Sequence, residues 1–533
     1  MINRKLNMNG LTTDPISQAF FKAYKPFRNG LRTLSLEESL FFIWQYSAHL
    51  SHDLTLPPMY HGFGRDGDPI DIRDSVYPWE LAVLAREVLL NASRRGQASL
   101  EKLPVLSRAI NGIKNLSSFG AESTDRQQLL LHLHRLAHQQ FPVQRGVQVG
   151  DLMRYKLIFE HPAMEDVFET GIGLSPKMFY FLGFSVAGAV KSRPKFVTSR
   201  DYSSFGISHI QRDHFFSRMV GSVSMLKSRI VESQRFGRAW AFTVNPLEST
   251  PLVNVDPSFP DRVYCPIPSL VLRRITSGAY YDLVRADGFQ QAFGSAFEDY
   301  IGLVMRESCT KPVPWEIHKP KPYRVAKKKT HHGADWILTD GTANLFIECK
   351  AARIRAVAVS AETYTDVEMT VQRLADMVVQ NYANIFEALS GLTDWRKNDL
   401  PNFSVITTLE DFIPFGEAVA QPVRMKVRDE LRSKGLPESM VDDVPYCLVS
   451  AAEFEGICAV LNDYSVLELF NKKNSGECSQ WLFSAFCMQP DYREAYARSR
   501  VLHNAEYFAF WRQMDHMSGG QFSIRRPGGP DAD

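Results

Sequence analysis

The chain has almost no excess of charge of either sign: 61 Lys and Arg stand against 59 Asp and Glu, a formal net charge of +2 at pH 7. Global electrostatics therefore do not mark a polyanion binder, and any such role must rest on local patches. Cysteine is sparse and unpaired in pattern, with seven residues and no Cys-x-x-Cys spacing. That argues against a disulfide framework or a zinc ribbon and for a reducing, cytoplasmic compartment. No Gly-rich Walker loop is present, so intrinsic nucleotide hydrolysis is not indicated. Internal repeats are lacking too. The longest apolar-rich run, Met178 to Val190 between Lys177 and Lys191, falls short of the about 20 residues that span a bilayer. It reads as a buried segment and predicts no membrane partner; a membrane-associated effector would have to lay this run in the interface. Met1-Ile-Asn-Arg-Lys5 is followed by no apolar core, which reads as no secretory signal.

Two small clusters carry little. His132, His134 and His138 have no carboxylate nearby to complete a zinc set. Asp66, Asp68 and Asp71 lack the spacing of a calcium loop and suit turns.

What is present suits a large globular protein. At 533 residues with a hydrophobic fraction of 44%, the chain can bury the cores of two or three domains. Residues 1–270 read as a mainly helical N-terminal domain. Ser35-Leu-Glu-Glu38 has the pattern of a capping box opening a helix through Leu50. Further helices are expected over Trp79–Asn91, Arg126–Gln140 and His209–Arg235, and a strand over Ala239–Val244. Residues 271–470 change character, with the order helix, strand, hairpin, helix, strand, which predicts an α/β domain with a mixed sheet flanked by helices. A helical C-terminal extension over 471–518 and a Gly- and Pro-rich disordered tail over 519–533 complete the reading.

The most informative stretch is His331-His-Gly-Ala-Asp335-Trp-Ile-Leu-Thr-Asp340-Gly341-Thr-Ala-Asn-Leu-Phe-Ile-Glu348-Cys349-Lys350. It reads as two apolar strands joined by turn chemistry at Asp340-Gly341. Strand side chains alternate, so Phe346, Glu348 and Lys350 share one face while Ile347 and Cys349 take the other. A Glu and a Lys two apart in an apolar strand are costly to bury unless paired or bound. Asp335 on the partner strand can approach the same face. Two carboxylates beside one ammonium make a candidate Mg²⁺ site with a water-activating neighbour.

Asp335 followed by Glu348-Cys349-Lys350 across a hairpin resembles the PD-(D/E)XK nuclease superfamily, over about Phe289 to Glu410. Ala334 stands where that motif often has proline. The resemblance implies a restriction-endonuclease-like fold and metal-dependent hydrolysis of phosphodiester bonds. It also implies DNA as substrate, Mg²⁺ (or Mn²⁺) as cofactor, and a setting such as defence against foreign DNA. It assigns Asp335, Glu348 and the backbone carbonyl of Cys349 as metal ligands and Lys350 to the attacking water. It further suggests Glu298 for a metal-bound water or second ion. Glu298 lies on an expected helix with Gly294 and Gly302 four residues to either side, small residues that leave room for close approach. On the helix after the hairpin, Gln372, Arg373, Gln380 and Tyr382 are polar, and Gln380 is the candidate to orient the site.

Cations cluster beside the hairpin: Lys311, Lys319, Lys321, Arg324, Lys327, Lys328 and Lys329 before it, Arg353 and Arg355 after it. Next to a carboxylate cluster they are expected to neutralise phosphate, with Tyr323 available for stacking. The alternative is a catalytically silent nucleic-acid-binding or assembly protein that keeps the nuclease fold. Three tasks stay open for residues 1–270: sensing a partner, binding sequence, or dimerising the nuclease.

Overall fold

A computed structural model describes residues 15–57, 60, 62–63, 69–119, 131–133, 135–326, 329–351, 364–411 and 416–517. The chain divides into two compact units, Met1–Val147 with Phe168–Ala286, and Gln148–Val167 with Asp287–Asp533. The division differs from the expected boundary at 270. Arg274 ties the segment after it back into the first unit, through Asp282 Oδ2 at 2.6 Å and the Ser249 carbonyl at 2.9 Å. Residues 148–167 belong to the second unit because Arg154 and Phe159 pack there, and 471–517 belong to it as well rather than forming a separate extension.

The first unit is mainly helical. Leu36–Leu50, Pro78–Asn91 and Leu103–Ser117 are helices whose buried faces meet in one core. The expected capping box at Ser35 does not form, since the Ser35 side chain makes no cap bond; its backbone instead bridges to Ser93 and bonds the Ala98 carbonyl. The run at Met178 lies within the helix Pro176–Ser192, mostly buried. No helix among the described residues is long and apolar enough to cross a membrane. The expected long helix over His209–Arg235 is two helices, His209–Met219 and Val223–Ser233, parted by the short strand Val220–Ser222. That strand joins Leu252–Asn254, Arg262–Tyr264 and Lys195–Val197 in a four-stranded sheet that sequence periodicity did not announce. Ala239–Val244 holds a turn of 3₁₀ helix at Trp240–Phe242 rather than a strand. Its carbonyls are used by the buried Arg86 guanidinium, which donates to Trp240 O and Thr243 O and pairs with Glu87. Of the helix expected over Arg126–Gln140, residues 126–130 and 134 lie outside the described residues, as does the tail 519–533.

The second unit contains α1 (Val149–Phe159), α2 (Phe289–Ser308), β1 (Glu316–His318), β2 (Tyr323–Ala326), β3 (Lys329–His331), β4 (Trp336–Thr339), β5 (Asn344–Lys350), α3 (Tyr364–Leu389), β6 (Asn402–Thr408), α4 (Gly416–Ser433), β7 (Tyr446–Ser450) and α5 (Ala451–Val460). A mixed five-stranded sheet has the order β7-β6-β5-β4-β1. β4 runs antiparallel to both β5 and β1, and β5, β6 and β7 run parallel. The parallel step from β5 to β6 needs a crossover, which α3 supplies. One face of the sheet, with Phe346 and Ile406, packs on the apolar stripe of α3 at Leu374, Val378, Tyr382 and Ile385. The fold is thus mixed α/β with a helical N-terminal region, as composition and element order suggest. Ser450 and Glu453 form the capping box at the start of α5.

Candidate active site at the end of the hairpin

β4 and β5 pair in register from Trp336↔Ile347 to Thr339↔Asn344. The loop between them closes through Gly341, whose φ of +83° suits glycine, and through Asp340, whose carboxylate accepts from the Thr342 amide at 2.9 Å. Extending the register by one residue sets Asp335 opposite Glu348, on the same side of the hairpin. β4 stops at Trp336, so the next ladder position falls to a side chain: Cys349 N–H donates to Asp335 Oδ2 at 2.6 Å.

Glu348 is almost fully buried, at 2% exposure. Both of its oxygens are engaged: Lys350 Nζ donates to Oε1 at 2.6 Å and Asn384 Nδ2 to Oε2 at 2.9 Å. Lys350 also donates to Gln380 Oε1 at 2.9 Å. Gln380 and Asn384 are four residues apart on α3, so one helical face meets both charged groups of the strand. Between them Asn381, wholly buried, donates to the Phe346 carbonyl and to Ser404 Oγ, fastening α3 to β5 and β6. Asn384 was not singled out from sequence. Its signal was available, because it repeats the position of Gln380 one helical turn on.

The electrostatics are those of crowded carboxylates. Burial pushes the Asp335 carboxyl well above its ordinary range, and Glu348 and Glu298 push it further. The Cys349 amide and Lys350 only partly oppose this. Burial likewise raises Glu348, against the pull of Lys350 and Asn384. Glu298 is raised by burial, drawn back by Lys319, and raised again by Asp299 and Glu348. Burial and the three carboxylates hold the Cys349 thiol well above its usual range, which favours the thiol over the thiolate.

Glu298 acts on this group electrostatically from α2, whose Gly302 lies against the Trp336 ring. Gly302 does not open space for water or phosphate. A Cβ there would stand 2.3 Å from the Trp336 ring, so its smallness serves the indole, while Gly294 faces open space. Trp336 Nε1 also donates to the Glu298 carbonyl at 2.9 Å, fixing α2 against β4. Among the described residues no group of three or more His, Cys, Asp or Glu side chains is arranged to hold a metal ion.

The remaining candidates are dispersed. Tyr382 lies in the core with its hydroxyl on the Val444 carbonyl, and Gln372 links α3 to Lys426 and Glu430 of α4. Lys319 is 2.8 Å from Asp299, 3.9 Å from Glu298 and 5.1 Å from the Trp336 ring, so its charge is already matched. Lys321 and Arg324 are exposed. Tyr323 is not a free stacking platform: its hydroxyl bonds Glu387 and its ring lies 6.0 Å from His331. Lys327, Lys328, Arg353 and Arg355, and the side chain of Lys329, lie outside the described residues.

No protein-family model, curated protein or solved structure matches this chain. Function must therefore be argued from the site itself.

Proposed function

We propose that the second unit is a metal-dependent nuclease of restriction-endonuclease-like fold, hydrolysing phosphodiester bonds in DNA. The observation that carries this reading is the meeting of Asp335 and Glu348 on one side of the hairpin with Lys350 between Glu348 and Gln380. The order α2, β1, hairpin, α3, β6 supports it, since it is the order the sequence resemblance implies.

The donor set suits a hard divalent cation in kind. It is all oxygen, and its two carboxyls, both raised by burial, share a single cation, Lys350, which pairs with Glu348. Asp335 and Glu348 would hold Mg²⁺ (or Mn²⁺). The Cys349 carbonyl would join them, since in a strand it projects to the same edge as the amide that meets Asp335. Glu298 would add an outer contact. When bound, the ion lowers the pKa of a coordinated water and offsets charge on the phosphate. This chain's own groups do the rest. Lys350 places a fixed positive charge where the phosphate gains negative charge. Hydrogen bonds from Lys350 to Gln380 and from Asn384 to Glu348 orient both charged groups, which spares reorganisation during the reaction.

A second reading has one observation in its favour. Both Glu348 oxygens are already hydrogen-bonded, as they would be in a catalytically silent nucleic-acid-binding or assembly protein. Purified protein incubated with plasmid, linear duplex and single strands in Mg²⁺, Mn²⁺ or EDTA separates the two. Cleavage that needs the metal and vanishes in Lys350→Ala supports the nuclease, and metal-independent binding without cleavage supports the silent form.

A further inference from the structure

Two carboxylates, Asp394 and Glu387, anchor the basic segment before the hairpin. Asp394 Oδ1 accepts the Lys321 amide at 3.0 Å and lies 3.3 Å from His318 Nε2. Glu387, on the last turn of α3, accepts from the Tyr323 hydroxyl and meets His331 Nδ1 at 3.1 Å. Tyr323 thus turns toward α3, and strand alternation sends its neighbour Arg324 the other way, where it is exposed. The loop after α3 brings Arg396 and Lys397 just beyond Asp394, both exposed. Trp395, between Asp394 and Arg396, is buried and packs edge-on against Phe346, with ring centroids 5.2 Å apart. Phe346 shares its face with Glu348 and Lys350, so the loop is pinned to the face that carries the candidate site. Phe346 to Lys350 is about 13 Å along the strand, roughly four base steps of duplex. Gln380, Asn384 and Glu387 form one stripe on α3, so the helix that orients Glu348 and Lys350 also seats the basic ribbon.

We propose that Lys321, Arg324, Arg396 and Lys397 form one binding surface for the phosphate backbone of a nucleic acid, held beside Glu348 and Lys350 by the anchors Asp394 and Glu387. The inference rests on the nuclease reading for its ligand. Arg396 and Lys397 were not among the cations noticed in the sequence because more than forty residues separate them from the others.

The test uses the full chain, a short fluorescein-labelled duplex, and anisotropy in EDTA at several salt concentrations. Arg396→Ala/Lys397→Ala should bind unrelated sequences about tenfold more weakly, with the slope of log affinity against log salt shallower by about 1.8 for two lost contacts. Its melting temperature should equal that of the wild type, since both residues are exposed. Glu387→Ala discriminates further. Removing a negative charge would by itself tighten binding to a polyanion, whereas unseating the ribbon weakens it; weaker binding is expected, and unchanged or tighter binding would overturn the anchoring. Unchanged affinity and slope in the double variant of a protein that does cleave DNA would end the phosphate surface and leave the nuclease reading intact. Wild type that binds duplex in EDTA but never cleaves with Mg²⁺ would end the nuclease reading and leave the surface standing. Wild type that binds neither duplex nor single strand overturns both.

Discussion

Asn384 Nδ2 donates to Glu348 Oε2 over 2.9 Å, and this one bond joins the crossover helix to the most buried carboxylate of the hairpin. With Gln380 holding Lys350 one turn earlier, α3 orients both charged groups of the Glu-x-Lys strand.

Truncating these supports should reduce cleavage without abolishing it. Partners behind a metal ligand typically contribute about 10- to 100-fold in affinity or activity, so Asn384→Ala and Gln380→Ala are each expected to lose about that much. For Asn384→Ala the loss should appear in the Mg²⁺ concentration needed for half-maximal rate. Full activity at wild-type Mg²⁺ would show that Glu348 needs no help from α3.

Asp335→Asn and Lys350→Ala should each cost at least about a hundredfold in cleavage rate. Asp335→Asn should nonetheless melt no lower than wild type without metal. The folded pKa of Asp335 lies above its ordinary 3.8, so the native state binds more protons than the unfolded chain. Stability is therefore lost as pH rises from that value through the folded pKa, and the neutral amide escapes the loss. Mg²⁺ should raise the wild-type melting temperature, increasingly so toward neutral pH, and should leave the variant unmoved. Equal Mg²⁺ shifts in both proteins would falsify the assignment of Asp335 as a ligand.

The two glycines flanking Glu298 should respond oppositely to alanine. At Gly302 the new methyl meets the Trp336 ring at 2.3 Å, an overpacking that costs about 1–3 kcal/mol. At Gly294 nothing lies within 4 Å, and alanine should stabilise the helix by about 1 kcal/mol. Urea titrations of the two variants read the signs directly.

Arg154 of α1 and Glu455 of α5 form a buried pair, at 2.7 Å from Nε to Oε1, with Tyr300 Oη 2.5 Å from the same oxygen. Burial alone would raise Glu455, but Arg154 and His503 outweigh it and bring the carboxyl to about 2. Its contribution is therefore present above the ordinary 4.5 and lost as pH falls toward 2. Glu455→Ala should cost about 2–3 kcal/mol at neutral pH, because the buried Arg154 guanidinium keeps only Asp151, at 3.0 Å, as a carboxylate partner, and less in acid. A pH-independent difference between the two proteins in chemical denaturation would refute this.

Local pattern carried much of the second unit. The hairpin was legible because alternation and turn chemistry at Asp340-Gly341 are properties of neighbours in sequence, and the helix and strand expected after it are α3 and β6. Irregular parts of the first unit were not legible. The strand Val220–Ser222 exists only because Leu252–Asn254 pairs with it, and Ala239–Val244 coils to present carbonyls to Arg86. In both cases a distant partner overrode local propensity.

By itself the sequence determined which chemistry could meet: strand parity put Glu348 and Lys350 on one face, and the short hairpin brought Asp335 opposite them. Tertiary structure alone decided what holds those groups and what surrounds them. Asn384, the role of Gly302 against Trp336, and the loop that carries Arg396 and Lys397 to the same face all depend on contacts between residues dozens of positions apart. Side-chain periodicity is a local property of the backbone, whereas hydrogen-bond partners and charge neighbours are set only when the sheet and its helices close on one another.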